Sequence, residues 1–381
     1  MDLKKLSILI LMVEMYVLLS LFNHIKTCEK HLEHMQKQQI IKSFNSEDIV
    51  FERMEATPEE IENLPFLKTF RNPCFWTTIY LNKPRLRLQC IPYFYLAGFP
   101  KCGTTDLCKR MVTHPLISGK CGKENHWLTR KRFLENNNVL SNYFNYYERS
   151  VREDISNIFA NGYHSAIFGD CSASTVWDNR HFFKEQKRQN KTKPLLTTAD
   201  IIFKLNPNAK IIIILRNPTL RLYSDYVYFN KHNVTPEDFH NRVVKGIGAF
   251  QTCLRFQNIE ECANNFNQKD SVRLNIGLYY IYIGYFLRVF PKDQVKIIKL
   301  EDFSVNKLFH MRNIFYFLEV GIPSAGILNR VVDMAKTNNN TEKKTSAGNM
   351  WTKTEAAIDS FYKLYNKKLA ELIGQEFNYN T

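Results

Sequence analysis

Residues 93–105 read Tyr-Phe-Tyr-Leu-Ala-Gly-Phe-Pro-Lys-Cys-Gly-Thr-Thr, an apolar, aromatic run that breaks into a glycine-flanked loop with one lysine and two hydroxyls. The pattern predicts a buried strand feeding an anion-cradling loop. Gly98 and Gly103 let the backbone approach an anion closely, Thr104 and Thr105 open a helix whose unpaired N–H groups face it, and Lys101 adds a full charge. The glycines have the spacing of a Walker A loop, but Thr104 stands in the lysine slot and Lys101 lies two residues before the second glycine. Taken alone, the loop also fits a turn that ends a core strand and exposes a solvated lysine.

A second stretch shifts that balance. Residues 210–231 run Lys-Ile-Ile-Ile-Ile-Leu-Arg-Asn-Pro-Thr-Leu-Arg-Leu-Tyr-Ser-Asp-Tyr-Val-Tyr-Phe-Asn-Lys. An unbroken β-branched segment suits the centre of a parallel sheet covered on both faces, and Arg216 with an Asn-Pro-Thr helix start follows it. Ser224 comes eight positions after Arg216, about two helical turns, which returns it to the neighbouring helix face. Further patterns predict strands at 93–97, 166–169, 211–215 and 295–300, helices at 104–113, 219–231, 277–290, 307–318 and 354–373, and Asn/Lys-rich loops at 186–193 and 337–346. This alternation predicts an α/β fold, a P-loop-like parallel sheet flanked by helices on both faces.

With 381 residues, 44% apolar and 13% aromatic, the chain has material for one large domain plus appendages and is not mainly disordered. The net charge of +15 suits a polyanion-binding surface, of glycan or nucleic acid alike. The N-terminus separates the two. Residues 6–22 are almost wholly apolar and follow Lys4 and Lys5, which reads as a transmembrane signal anchor with a cytosolic tail at 1–5, a luminal stem at 23–60 and a luminal catalytic domain at 61–381. Glu14 within that span costs about 2–3 kcal/mol, and a cleaved signal peptide is the alternative. A luminal domain meets glycans, not nucleic acid.

Sequons at Asn190, Asn233 and Asn339 and the use of nine cysteines agree with the lumen. Cys74 and Cys90 bracket a basic, Pro-containing segment and are a candidate pair; Cys102 and Cys171 read as unreactive reduced thiols, and Cys28 as a candidate dimer cross-link.

Together, the Gly98–Thr105 loop and the Arg216/Ser224 pair resemble the two cofactor-binding signatures of the sulfotransferases that use 3′-phosphoadenosine 5′-phosphosulfate (PAPS). The resemblance implies that Lys101, Cys102, Gly103, Thr104 and Thr105 hold the 5′-phosphosulfate, that Arg216 and Ser224 hold the 3′-phosphate, and that Lys343 and Lys344 close over it. Lys123-Glu124-Asn125-His126-Trp127 is similar to the stretch that carries the catalytic base in the Golgi members acting on glycosaminoglycans. That likeness makes Glu124 the base and His126 its orienting or proton-sharing partner, and implies a local Cys253–Cys262 disulfide.

The run at 127–132 and Trp177-Asp178-Asn179 are similar to members that sulfate the 6-hydroxyl of N-acetylgalactosamine 4-sulfate in chondroitin or dermatan sulfate. Asp170 is a candidate for acceptor contact or for orienting the neighbours of Glu124, and Arg130 and Arg132 for polymer sulfates or carboxylates, although a solvated basic loop reads the same. Heparan-acting members usually place a lysine after the acid at 170 and a proline two residues later. Cys171 and Ala173 stand here instead, which favours the chondroitin-type acceptor.

A sulfonate carries one negative charge where a terminal phosphoryl carries two, so lysine and backbone donors suffice without a metal. The strand at 211–215 accordingly ends in Arg216, not in an acid. A nucleotide kinase would need that acid and the Walker lysine. A heparan sulfate O-sulfotransferase and a non-catalytic glycan-binding relative remain as alternatives.

Overall fold

Ile211–Leu215 has no exposed side chain. Successive strand residues point to opposite sides, so complete burial means that both faces of the sheet are covered. Each such side chain contributes about 2 kcal/mol of apolar burial, which is why this run becomes the centre of the fold.

The computed structural model describes residues 57–58, 64–80, 84–189, 196–230, 234–265, 271–337 and 347–380. The segments 1–5 and 6–22, nearly all of 23–60, Cys28, the three sequon asparagines, Lys343 and Lys344 lie outside them. No helix among the described residues is long and apolar enough to cross a membrane.

An antiparallel hairpin, β1 (Cys74–Tyr80) and β2 (Pro84–Cys90), precedes the main sheet. Cys74 and Cys90 face each other in its register and are joined as a disulfide. The sheet contains β3 (Phe94–Gly98), β4 (Gly169–Asp170), β5 (Lys210–Leu215) and β6 (Val295–Lys299), all parallel, in the order β4-β3-β5-β6. Helices α1 (Thr104–Met111), α2 (Arg180–Arg188), α3 (Pro218–Phe229), α4 (Pro236–Leu254), α5 (Tyr279–Val289), α6 (Lys307–Phe317) and α7 (Thr352–Ile373) flank it.

Two sequence expectations are corrected. The strand expected at 166–169 pairs with β3 only at Gly169 and Asp170. Ile167 instead bonds to the 116–118 segment, donating to Leu116 O and accepting from Ser118 N at 2.8 Å each. The loop expected at 186–193 is helical through Arg188, because α2 carries Phe183 and Gln186 into the core. A helical face with two buried positions outweighs a polar composition.

Candidate active site

Where β3 ends, Phe99 N donates to Ile214 O at 3.0 Å, locking the loop to the central strand. Gly103 then turns the chain with φ 89° into α1, and a Cβ there would meet Leu300 Cδ1 at 2.7 Å. The first bond closing onto α1 runs from Leu107 N to Gly103 O, so the amides of Thr104, Thr105 and Asp106 stay outside the helix ladder. They form an anion-facing terminus. Gly103→Ala is therefore expected to cost about 1–3 kcal/mol of stability. Thermal melting checks this.

Arg216 stands at the end of β5, where Asn217 caps α3 by accepting from Thr219 N at 2.9 Å and Leu220 N at 3.1 Å. Its guanidinium donates to Lys101 O at 3.3 Å, tying the two signatures together. Lys101, Gly103, Thr104, Thr105, Arg216 and Ser224 line one cavity of about 740 Å³. The Lys101 ammonium lies 3.5 Å from the ring centroid of Tyr228.

Cys102 does not join them. Its side chain is buried beside Tyr279 Oη at 3.7 Å, and its N–H donates to Phe99 O at 3.2 Å. Burial pushes the thiol up to about 11, so it stays protonated. Tyr279 is a core residue whose hydroxyl donates to Arg216 O at 2.9 Å.

The same cavity receives Glu124 and His126 from the loop after α1. Both adopt left-handed backbone conformations, φ 62° and 54°, which non-glycine residues rarely take. Glu124 Oε2 accepts from Ala173 N at 3.0 Å and lies 3.2 Å from His126 Nε2, while Oε1 is paired with Lys123. His126 Nδ1 lies 2.7 Å from Ser174 Oγ, itself 2.7 Å from Thr129 Oγ1. Burial holds the His126 imidazole below its ordinary range, outweighing the opposing pull of Glu124, and nearby Arg130, Lys123 and Lys131 add to the lowering. A neutral ring with a proton on Nε2 satisfies both contacts, donating to Glu124 and accepting from Ser174.

Asp170 is buried at 2% exposure and does not line the cavity, so direct acceptor contact is corrected. Its carboxylate accepts from Tyr147 Oη at 3.0 Å and Tyr143 Oη at 3.3 Å. Burial pushes its pKa up against these hydrogen bonds. Tyr147 Oη also receives Asn125 Nδ2 at 2.6 Å, and Asn125 Oδ1 accepts from Trp127 N at 2.9 Å. Asp170 thus anchors the backbone around Glu124 from behind.

Arg132 is also corrected: it is 4% exposed, donates to Leu128 O at 3.1 Å and packs on Phe133 and Phe182. Its long stem and planar head are used as core. Arg130 does line the cavity.

Cys171 is not a reduced thiol. It is bonded to Cys108 on α1, across a sequence separation of 63. Cys171 O accepts from Glu124 N at 3.3 Å, so this cross-link fastens the helix of the anion loop to the strand end behind Glu124. Nothing in the spacing of these cysteines marks the pair. Cys253 and Cys262 are also joined. Replacing Cys108 and Cys171 together by Ser is expected to lower stability by about 4 kcal/mol, from the loop entropy released to the unfolded chain. Chemical denaturation of the double variant measures it.

Sequence reading missed Lys123, Ser174, Trp177, Arg273, Lys307 and Lys336, which also line the cavity. Lys336 is placed by a buried device. Arg110, fully buried, donates to Asp106 Oδ2 at 2.8 Å, Val332 O at 3.1 Å and Met334 O at 2.6 Å, while Asp106 accepts from Thr337 N at 3.0 Å. Arg273 is held by Asp225 and covers the Phe229 ring at 4.2 Å. Lys123 and Trp177 lie inside stretches singled out for their neighbours, while Ser174, Arg273, Lys307 and Lys336 belong to no local motif and were hidden by distance in sequence.

The cavity thus joins an anion cradle rich in lysine and arginine to a carboxylate–imidazole pair, on a parallel sheet, and this is the construction of a group-transfer protein. Residues 92–370 match the family described as Sulfotransferase domain, and the chain belongs to that family. Carbohydrate sulfotransferase 15 of Homo sapiens is 33% identical to it over 319 residues, covering 79% of this chain and 57% of the relative. The chain therefore spans little more than half the length of that curated relative. Membrane-associated sulfotransferase kil1 of Dictyostelium discoideum is 23% identical, over 77% of this chain and 68% of the relative. Among solved structures, a sulfotransferase from Alicyclobacillus acidocaldarius superposes with a TM-score of 0.47 at 20% identity, covering 74% of this chain and 96% of that one.

Proposed function

We propose that this protein transfers sulfonate from PAPS to a sugar hydroxyl of a glycosaminoglycan, the 6-hydroxyl of N-acetylgalactosamine 4-sulfate in chondroitin or dermatan sulfate. The observation that carries it is the meeting of Lys101, Arg216 and Ser224 with Glu124 and His126 in one cavity. The name of the human relative, a carbohydrate sulfotransferase, supports the acceptor class. The enzyme would work in the Golgi lumen, held by a single span at 6–22 as a type II membrane protein, with Cys28 as the candidate cross-link of a homodimer.

The residues fit the donor. PAPS, when bound, supplies the sulfonate and a 3′,5′-bisphosphate leaving group. The unladdered amides at Thr104 and Thr105 and the Lys101 ammonium present hydrogen bonds and charge to the phosphosulfate, and Arg216 and Ser224 take the 3′-phosphate. Asp106, the acid that faces this side, is already committed to Arg110 and Thr337 and adds little repulsion. Lys101 neutralises charge that grows on the bridging oxygen. Glu124 removes the acceptor hydroxyl proton, with His126 fixing the carboxylate through Nε2.

The test is incubation of the luminal domain with labelled PAPS and a panel of defined glycosaminoglycans, followed by disaccharide analysis. Label at the 6-position of 4-sulfated N-acetylgalactosamine is expected. Label confined to heparan sulfate would overturn the acceptor. Failure to bind 3′-phosphoadenosine 5′-phosphate would leave only a glycan-binding relative.

A further inference from the structure

We propose that Arg130, beside Trp177 and positioned by Asp178 and Arg180, forms the subsite that reads the sulfate already present on the acceptor sugar. This rests on the acceptor assigned above and names the groups that make it selective.

The Asp178 side chain is fully buried and carries one charge for two guanidiniums. Arg130 Nε donates to its Oδ2 at 2.7 Å, Arg180 Nε to its Oδ1 at 2.7 Å, and Arg180 Nη2 to Oδ2 at 2.9 Å. Burial pushes the Asp178 carboxyl up, yet the hydrogen bonds from Arg180 and the two positive charges hold it below its ordinary range. It stays ionised, and the cluster keeps a net positive charge. Both guanidinium carbons lie 5.8 Å from the Trp177 ring centroid.

Arg130 meets Asp178 through Nε, the inner nitrogen of its guanidinium. Its side chain is 38% exposed and lines the cavity, as does Trp177, whose buried indole N–H has no hydrogen-bond partner. An orphaned donor beside a fixed guanidinium at the cavity wall is a set built for oxygen anions, with the Arg180 fork spent on holding Asp178 behind it.

Chemistry locates the subsite further. The 4-sulfate and the 6-hydroxyl belong to one sugar ring, so the group that reads the sulfate must stand beside the base. Arg130 N donates to His126 O at 3.0 Å, and the Arg130 charge reaches the His126 ring. Two other cations reach this ring: Lys123 is already paired with Glu124, and Lys131 lies 4.9 Å from the Tyr146 ring centroid.

The experiment compares kcat/KM on chondroitin 4-sulfate and on unsulfated chondroitin, with calorimetry of 3′-phosphoadenosine 5′-phosphate to report an intact donor site. Arg130→Gln is expected to lower the 4-sulfated value by roughly 10- to 100-fold and the unsulfated value far less, so the selectivity ratio collapses. Arg180→Gln, which leaves Arg130 holding the buried Asp178 carboxylate, should move the ratio the same way, with thermal melting to report the fold. Arg130→Lys keeps the charge but not the fork and should recover only part of it. A wild-type ratio in Arg130→Gln and Arg180→Gln, with donor binding intact, overturns the subsite. A wild-type enzyme that labels no chondroitin overturns the acceptor assignment, and the subsite with it.

Discussion

Lys101→Met is expected to lower kcat by roughly 10³-fold, near the upper end of what removing one preorganised donor costs. Single-turnover transfer at saturating PAPS measures it. The ammonium sits at the turn between β3 and α1, at φ 68°, with Tyr228 under it. Methionine has a similar stem and keeps the packing on Tyr228, so the loop should hold and the loss should report charge. Lys101→Arg separates charge from position, because its planar fork cannot occupy the place of a compact ammonium. A Lys101→Met enzyme within tenfold of wild type would exclude this lysine from the transition state.

Glu124→Gln is expected to lose 10²- to 10⁴-fold in kcat with nucleotide binding unchanged. The amide oxygen can still accept from Ala173 N, so the loop keeps that anchor while losing the base. Because burial holds His126 below the ordinary imidazole range, the wild-type rate should fall with acid only beneath that range. Above it the ring is neutral, donating from Nε2 to the carboxylate and accepting from Ser174 through Nδ1; protonation at Nδ1 ends that second contact and sets a full positive charge against the base. An acidic limb at the ordinary histidine value would detach His126 from Glu124; full activity of Glu124→Gln would remove the base from the mechanism.

Much of the fold was legible because its elements are locally encoded. The β-branched run before Arg216 is a central strand in any context that covers both its faces, and strands and helices on either side of it fall close to where the periodicity put them. The anion loop was legible for the same reason: glycine, lysine and threonine fall within eight residues. Arg132 misled, and Asp170 kept only the second of its two expected roles, because residue type carries no burial. A carboxylate that ends a strand can face a ligand or two tyrosines, and here it faces the tyrosines. A third arginine-rich position can meet solvent or pack on Phe133 and Phe182, and here it packs.

The sequence by itself determined the strands β3, β5 and β6, the helices α1 and α3, and the glycine-flanked loop between β3 and α1. These depend on contacts between near neighbours, whose geometry repeats from chain to chain. Only the tertiary structure decided that Cys108 joins Cys171, that Arg110 carries Lys336 to the cavity rim, and that Asp178 holds Arg130 and Arg180 together. Most of those partners are separated by tens to hundreds of residues, and the free energy that brings them together comes from the whole core, not from any segment that could be read alone.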